Sequence, residues 1–154
     1  MTRQSKPVTI LVAEDDADDR MLLKDAFSAS SLPNELRFVE DGEQLLAYLR
    51  REGEFADPGE APIAGLIILD LNMPKMDGRE ALTIIKNDEV LKSIPVVVLT
   101  TSAEEDDVYY AYTLGVSSYI SKPVTFEGLV NVVQVLNKYW LEVVELPRQQ
   151  TAGA

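Results

Sequence analysis

The stretch VTILVAEDDADDRMLLKDAFSAS, residues 8–30, changes character twice. Residues 8–13 are β-branched-rich and run on without polar alternation, the pattern of a strand buried on both faces of a parallel sheet. Five acids then fill the six positions from Glu14 to Asp19. From Met21 to Ala29 one apolar side and one polar side follow at helical spacing. The order is strand, acidic turn, helix. Like charges gathered this tightly repel, so the turn is either a solvated helix start or a socket for a cation.

The same strand-then-helix unit recurs along the chain. Further apolar runs are LRFV (36–39), GLIILDL (65–71), PVVVLT (95–100) and SSYIS (117–121). Between them DGEQLLAYLRREG (41–53) is expected to form a helix ended by Gly53, followed by GREALTIIKND (78–88) and by EEDDVYYAYTLG (104–115), stopped by Gly115. TFEGLVNVVQVLNKYWLEVV (125–144) supplies the fifth and longest helix. Five such repeats predict an open, doubly wound α/β sheet, (βα)5. We expect one domain over 8–146, with an extended surface loop at 52–65 and a C-terminal extension at 139–146. Residues 1–7 and 147–154 are expected to be tails.

Composition excludes several functions. Fourteen basic against 26 acidic residues, net −12, tell against direct nucleic-acid binding, which draws on clustered Lys and Arg. The chain has no Cys and no His. Disulfides, thiol nucleophiles, most zinc sites and serine–histidine catalysis fall away, and any bound metal is expected to be a hard, oxygen-liking ion. The apolar run before the acids is too short for a signal peptide or membrane span, so a cytoplasmic location is expected.

In open α/β sheets ligands bind beyond the carboxyl ends of the strands. Strand one delivers Glu14, Asp15 and Asp16 to that edge, strand three Asp70, strand four Thr100 and strand five Lys122. A single Asp after a strand is ordinarily a cap or turn residue; four strand ends carrying such groups are harder to dismiss. Asp15 and Asp70, brought close, cannot both be ionised cheaply, and a divalent cation such as Mg2+ (or Mn2+) relieves the repulsion. A carboxylate is a competent nucleophile towards phosphorus. Lys122 would neutralise developing phosphoryl charge and the Thr100 hydroxyl would donate to one of its oxygens.

The segments ILVAEDD, LIILDLNMPKMDGRE, PVVVLTTSA and SYISKP resemble the signature segments of two-component response-regulator receiver domains, across roughly residues 8–138. The resemblance implies a flavodoxin-like sheet of order 2-1-3-4-5. It implies Asp70 as phosphoacceptor, Asp15 as direct metal ligand, Glu14 acting through water, and the backbone carbonyl of Asn72 as a third protein ligand. Thr100 becomes the switch hydroxyl, Lys122 the phosphate-facing lysine and Tyr119 the aromatic that reports phosphorylation. Asn72 and Ser102 would tune self-dephosphorylation, and Pro123 would follow a cis peptide bond. Asp16, Asp18 and Asp19 are left as the acidic first turn of helix one. Met73 and Met76 are expected to serve local packing.

Such a protein accepts its phosphoryl group from a sensor histidine kinase and passes the message through a downstream phosphotransfer or target protein. The long loop after helix two, with LDLNMP, VLTTS and NKYWL, is similar to single-domain regulators paired with bacterial and cyanobacterial phytochromes, which implies a photoreceptor kinase as partner. A phosphatase using an aspartyl-phosphate would want a second Asp where Asn72 stands. A nucleotide-binding sheet would want a glycine-rich phosphate loop. An unphosphorylated interaction scaffold is the remaining alternative.

The last helix carries two apolar stripes. Phe126, Leu129, Val130, Val133, Leu136 and Trp140 suffice to cover the sheet. Val132, Val135, Tyr139 and Val143 form a second stripe about 100° away. With Tyr109 and Tyr112 of helix four they are candidates for a symmetric homodimer contact. The other reading is a helix buried by the C-terminal tail.

Overall fold

A computed structural model describes residues 8–31, 33–57, 59, 61–102 and 104–143, the last three by their backbone alone. Five strands, β1 (Thr9–Ala13), β2 (Leu36–Val39), β3 (Ala64–Leu69), β4 (Val96–Thr100) and β5 (Ser118–Ser121), form one parallel sheet of order β2-β1-β3-β4-β5. Helices α1 (Ala17–Ala29), α2 (Gly42–Arg50), α3 (Gly78–Lys86), α4 (Glu105–Leu114) and α5 (Phe126–Leu136) alternate with them. Fold class and strand order are those expected from the sequence.

The unbroken apolar runs have a direct explanation. Side chains alternate across a strand, and here both faces are covered. Ile10, Val12, Leu66, Ile68, Val97 and Leu99 pack with Leu23, Phe27, Val133, Leu136 and Trp140 of α1 and the α5 region. Leu11, Ala13, Ile67, Leu69, Val96 and Val98 pack with Leu45, Leu46, Leu82, Ile85 and Ala111 of α2, α3 and α4. Burying one such Leu or Ile contributes about 1.5–3 kcal/mol, so the two layers dominate stability. Met73 and Met76 pack against the second of these layers, as expected.

Acidic and hydroxyl caps start the helices. Asp16 accepts from the Asp19 amide, Asp41 from that of Gln44, Asp77 from those of Arg79 and Glu80, and Thr125 from that of Gly128. Gly115 ends α4 in the left-handed region at φ 105°, as the sequence predicts. The end of α2 differs from the expectation: Arg51 (φ 58°), not Gly53, is the left-handed cap, and Gly53 opens a short 3-10 turn, Gly53–Phe55. The 52–65 segment is thus partly ordered, and the Tyr48 hydroxyl fastens it by donating to the Pro62 carbonyl at 2.6 Å.

The long final helix is also corrected. Its α-helical part stops at Leu136 and residues Asn137–Val143 continue as a π-helix. Val133, Leu136 and Trp140 are buried on the sheet, but Phe126, assigned to the same stripe, stands exposed at the helix start. Val132 packs partly against the core, whereas Val135 is 65% exposed and Tyr139, 54% exposed, meets the core only through the edge of Trp140, ring centroids 5.2 Å apart. The Val143 side chain, the end of the 139–146 extension and both tails lie outside the described residues.

Candidate phosphoacceptor and metal site

The parallel ladder itself delivers the site residues. One step past each strand the backbone bonding continues: the amides of Glu14, Asp70 and Lys122 donate to Val39, Ala13 and Thr100 carbonyls at 2.9, 3.1 and 2.8 Å. The side chains of Glu14, Asp70, Thr100 and Lys122 therefore arrive at one edge in fixed register.

Asp70 is buried and both its carboxylate oxygens are engaged. Oδ1 accepts from the Thr100 hydroxyl at 2.7 Å and the Asn72 amide at 3.2 Å. Oδ2 accepts from Lys122 Nζ at 3.0 Å. The ammonium also meets Glu14 Oε1 at 2.5 Å and Asp19 Oδ2 at 2.9 Å. Among the described residues Glu14, Asp15 and Asp70 each bring a carboxylate oxygen within 4.8 Å of the others. Asp15 is exposed, Glu14 and Asp70 buried.

Burial pushes the Glu14 carboxyl up to about 7; the Asp70 charge adds to this, and the Lys122 ammonium and Asp16 amide oppose it. Burial also works against charge on Lys122, but bonds to Glu14 and Asp19 carry its pKa above the ordinary value. The site thus concentrates negative charge that one ammonium only partly balances. Three hard oxygen donors within reach of one another suit a divalent cation such as Mg2+ or Mn2+, and softer ligands are absent from the sequence.

The loop after Asp70 is held stiffly. The Gly78 amide donates to Leu71 O at 2.9 Å and the Gly42 amide to Met76 O at 2.8 Å. Lys75 sits at φ 64°, a local strain of about 1 kcal/mol or more. A Cβ on Gly78 would overlap the Asp70 carbonyl oxygen, so the glycine permits the approach of α3 to Asp70.

Tyr119 is half-buried and donates its hydroxyl to the Ser102 carbonyl at 2.9 Å. Pro123 departs from the expectation. No cis peptide bond occurs among the described residues, and the Lys122–Pro123 bond is trans. Trans is the ground state of such bonds by about 0.5–1 kcal/mol, and Lys122 reaches three carboxylates from it.

Three side chains make contacts the sequence reading did not give them. Asp19 lies in the acidic first turn of α1, as expected, and from there also meets Lys122. Its position one turn after Asp15 is the signal that places it on the site's side of α1. Arg79 and Asp107 form a bidentate ion pair, Nε–Oδ1 at 2.7 Å and Nη2–Oδ2 at 2.6 Å, and Asp107 also accepts from the Ser102 hydroxyl at 2.5 Å. Nothing in the local sequence announces a pair 28 positions apart.

A doubly wound α/β domain with clustered carboxylates, a hydroxyl and an ammonium at the carboxyl ends of its strands is the class of a signalling receiver module. Residues 10–134 match the family model of the response regulator receiver domain, and the chain belongs to that family. It is 43% identical over 141 residues to response regulator Rcp1 of Synechocystis sp. (strain ATCC 27184 / PCC 6803 / Kazusa), covering 92% of this chain and 94% of that protein. Its fold superposes on the crystal structure of the phosphorylated cyanobacterial phytochrome response regulator RcpA with a TM-score of 0.86 at 43% identity, covering 93% of this chain and 100% of that one. Against the Mn(2+)-bound form of response regulator Rcp1 the TM-score is 0.83 at 43% identity, over 92% of this chain and 100% of that one. No helix among the described residues is long and apolar enough to cross a membrane.

Proposed function

We propose that this receiver takes a phosphoryl group on Asp70 from a phosphohistidine of a partner sensor kinase and later loses it by self-catalysed hydrolysis. The observation that carries this reading is the state of Asp70: buried, with Thr100 on one oxygen, Lys122 on the other, and Glu14 and Asp15 alongside. In the transfer an Asp70 oxygen bonds to phosphorus. The bond from phosphorus to the histidine nitrogen breaks, with its electron pair left on the imidazole. Lys122 and Thr100 are placed to meet two phosphoryl oxygens.

Asp15, Asp70 and the Asn72 backbone carbonyl would hold Mg2+ directly, and Glu14 through water. When bound, the ion supplies positive charge against the carboxylates and the phosphoryl oxygens. With no His of its own, the chain depends on a separate donor. The relatives' names make a phytochrome-type kinase the favoured partner. Leu22 of α1 and, at the start of α5, Val124 and Phe126 are exposed apolar side chains that flank the site and supply the greasy rim a helical partner would cover. Location in the cytoplasm, beside such a kinase, is part of the same reading.

Thr100 and Tyr119 form the switch, carrying the change at Asp70 to the α4 face by a shift of populations. Tyr109, Tyr112, Val135 and Tyr139, all exposed, are the proposed contact between two copies of the chain, with Val132 at its margin. Sedimentation at tens of micromolar should show a dimer, and a monomer with and without phosphoryl donor removes that part of the proposal. For Asp70, incubation with acetyl phosphate and Mg2+ should add one phosphoryl mass to the intact chain, lost on Asp70→Asn. A mass gain that survives the substitution places the chemistry elsewhere, and no gain at all favours an interaction scaffold.

A further inference from the structure

We infer that Asp107, anchored by Arg79, is a positioning residue for the hydrolysis of the Asp70 phosphoryl group: it takes the proton of the Ser102 hydroxyl and so fixes that hydroxyl's polarity. The inference rests on the phosphoacceptor role of Asp70 proposed above and adds residues outside the metal and acceptor cluster.

Ser102 stands two hydrogen-bond steps from the acceptor, through Thr100. Its amide lies 3.4 Å from Thr100 Oγ1, which in turn lies 2.7 Å from Asp70 Oδ1. The Tyr119 hydroxyl holds its carbonyl. With the backbone held at both ends, rotation of the Ser102 hydroxyl is the freedom that remains. A serine hydroxyl has one proton and two lone pairs. Asp107 Oδ2 takes that proton at 2.5 Å, a short, charge-assisted bond.

Asp107 is itself fixed. The Arg79 guanidinium grips both of its oxygens, and the side chain is only 15% exposed. Arg79 is the second residue of α3, immediately after Gly78, which packs against the Asp70 carbonyl. One connected path thus runs from the acceptor loop through Arg79 and Asp107 to Ser102 and back through Thr100 to Asp70.

With its proton committed to Asp107, the Ser102 hydroxyl oxygen has only lone pairs left to offer a water. It orients a water by accepting from it and has nothing to donate to a phosphoryl oxygen. In the hydrolysis the water oxygen bonds to phosphorus. The bond between phosphorus and the Asp70 oxygen breaks, and its electron pair returns to the carboxylate. One water proton stays on the inorganic phosphate released and the other passes to solvent. Ser102 is unchanged at the end. Without Asp107 its hydroxyl turns freely, the water loses its orientation, and the serine proton becomes available to a phosphoryl oxygen. Both effects lengthen the life of the phosphoryl group.

The test is a double-mutant cycle on phosphoryl lifetime. The wild type, Asp107→Ala, Ser102→Ala and the double variant are loaded with acetyl phosphate and Mg2+ and freed of donor. Loss of the mass adduct is then followed in Mg2+. Asp107→Ala and Ser102→Ala should each slow the loss about fivefold, the worth of one ordinary hydrogen bond. The double variant should be no slower than either single one. Should Asp107→Ala melt below the assay temperature, Arg79→Met takes its place; it removes the anchor, keeps the acceptor, and should slow the loss by less. Unchanged or faster loss in Asp107→Ala, or effects that multiply in the double variant, overturn the inference. A wild type that forms no adduct defeats the phosphoacceptor reading instead, so the two failures are distinguishable.

Discussion

Lys122→Met removes the single ammonium that stands among Glu14, Asp19 and Asp70 at 2.5, 2.9 and 3.0 Å. Unpairing a buried ion pair typically costs about 3–5 kcal/mol. Lys122 keeps some access to solvent, so about 3 kcal/mol is expected at pH 8. Glu14 then modulates this loss. Its folded pKa of about 7 lies above the ordinary value of 4.5, so in the wild type its contribution is fully present below pH 4.5 and lost as pH rises through 7. Removing the ammonium takes away a charge that lowers this pKa, and the variant's Glu14 holds its proton to still higher pH. The penalty at pH 6 is therefore smaller than at pH 8 by up to about 1.4 kcal/mol, the worth of the one pH unit between the wild-type value of about 7 and pH 8. Urea unfolding at pH 6 and 8, with and without Mg2+, measures it. The loss should be smaller at pH 6, and at pH 8 millimolar Mg2+ should restore part of it. An identical penalty at both pH values, insensitive to Mg2+, would refute the electrostatic reasoning.

Three further outcomes are expected. Trp140→Ala removes a large side chain buried against Val133, Leu136 and the sheet, and should lower stability by about 3–5 kcal/mol in urea titrations. Gly78→Ala drives a methyl group into the Asp70 carbonyl oxygen; a stability loss of about 1–3 kcal/mol should accompany slower adduct formation at Asp70, read by intact mass. The Arg79 and Ser102 hydrogen bonds hold the Asp107 carboxyl down at about 2, from an ordinary value of 3.8. This lowered pKa adds about 2 kcal/mol above pH 4, lost as pH falls through 2. The stability difference between wild type and Asp107→Ala, followed by acid titration of the unfolding midpoint, should therefore fade across that window.

Much of the fold is legible in local pattern because the signal for a doubly covered parallel sheet is itself local. Each strand is an unbroken apolar run, and each boundary found within a residue or so carries a cap or a left-handed glycine nearby, as at Asp16, Asp77 and Gly115. The errors arise where local chemistry permits two answers. Gly53 and Arg51 both adopt positive φ, and it is Arg51 that closes α2. A repeating apolar stripe cannot distinguish an α-helix from the π-helix that follows Leu136, since both return Trp140 to the same face. The Asp70, Asp15, Thr100 and Lys122 cluster is readable because topology alone sends strand ends to one edge. Asp19 is half-legible, since its spacing from Asp15 sets its side of α1 while its partner Lys122 comes from a distant element; Arg79 and Asp107 are not, because they meet across elements far apart in the chain.

The peptide between Asp70 and Gly78 is stapled at its two ends by the Gly42 and Gly78 amides, while α4 begins without a side-chain cap on Glu104. The first turn of α4 is held from outside instead: Arg79 of α3 grips both oxygens of Asp107, and the Ser102 hydroxyl donates to one of them. A disturbance at the carboxylate therefore has a route of side chains, not only of backbone, to the tyrosine-bearing surface of α4.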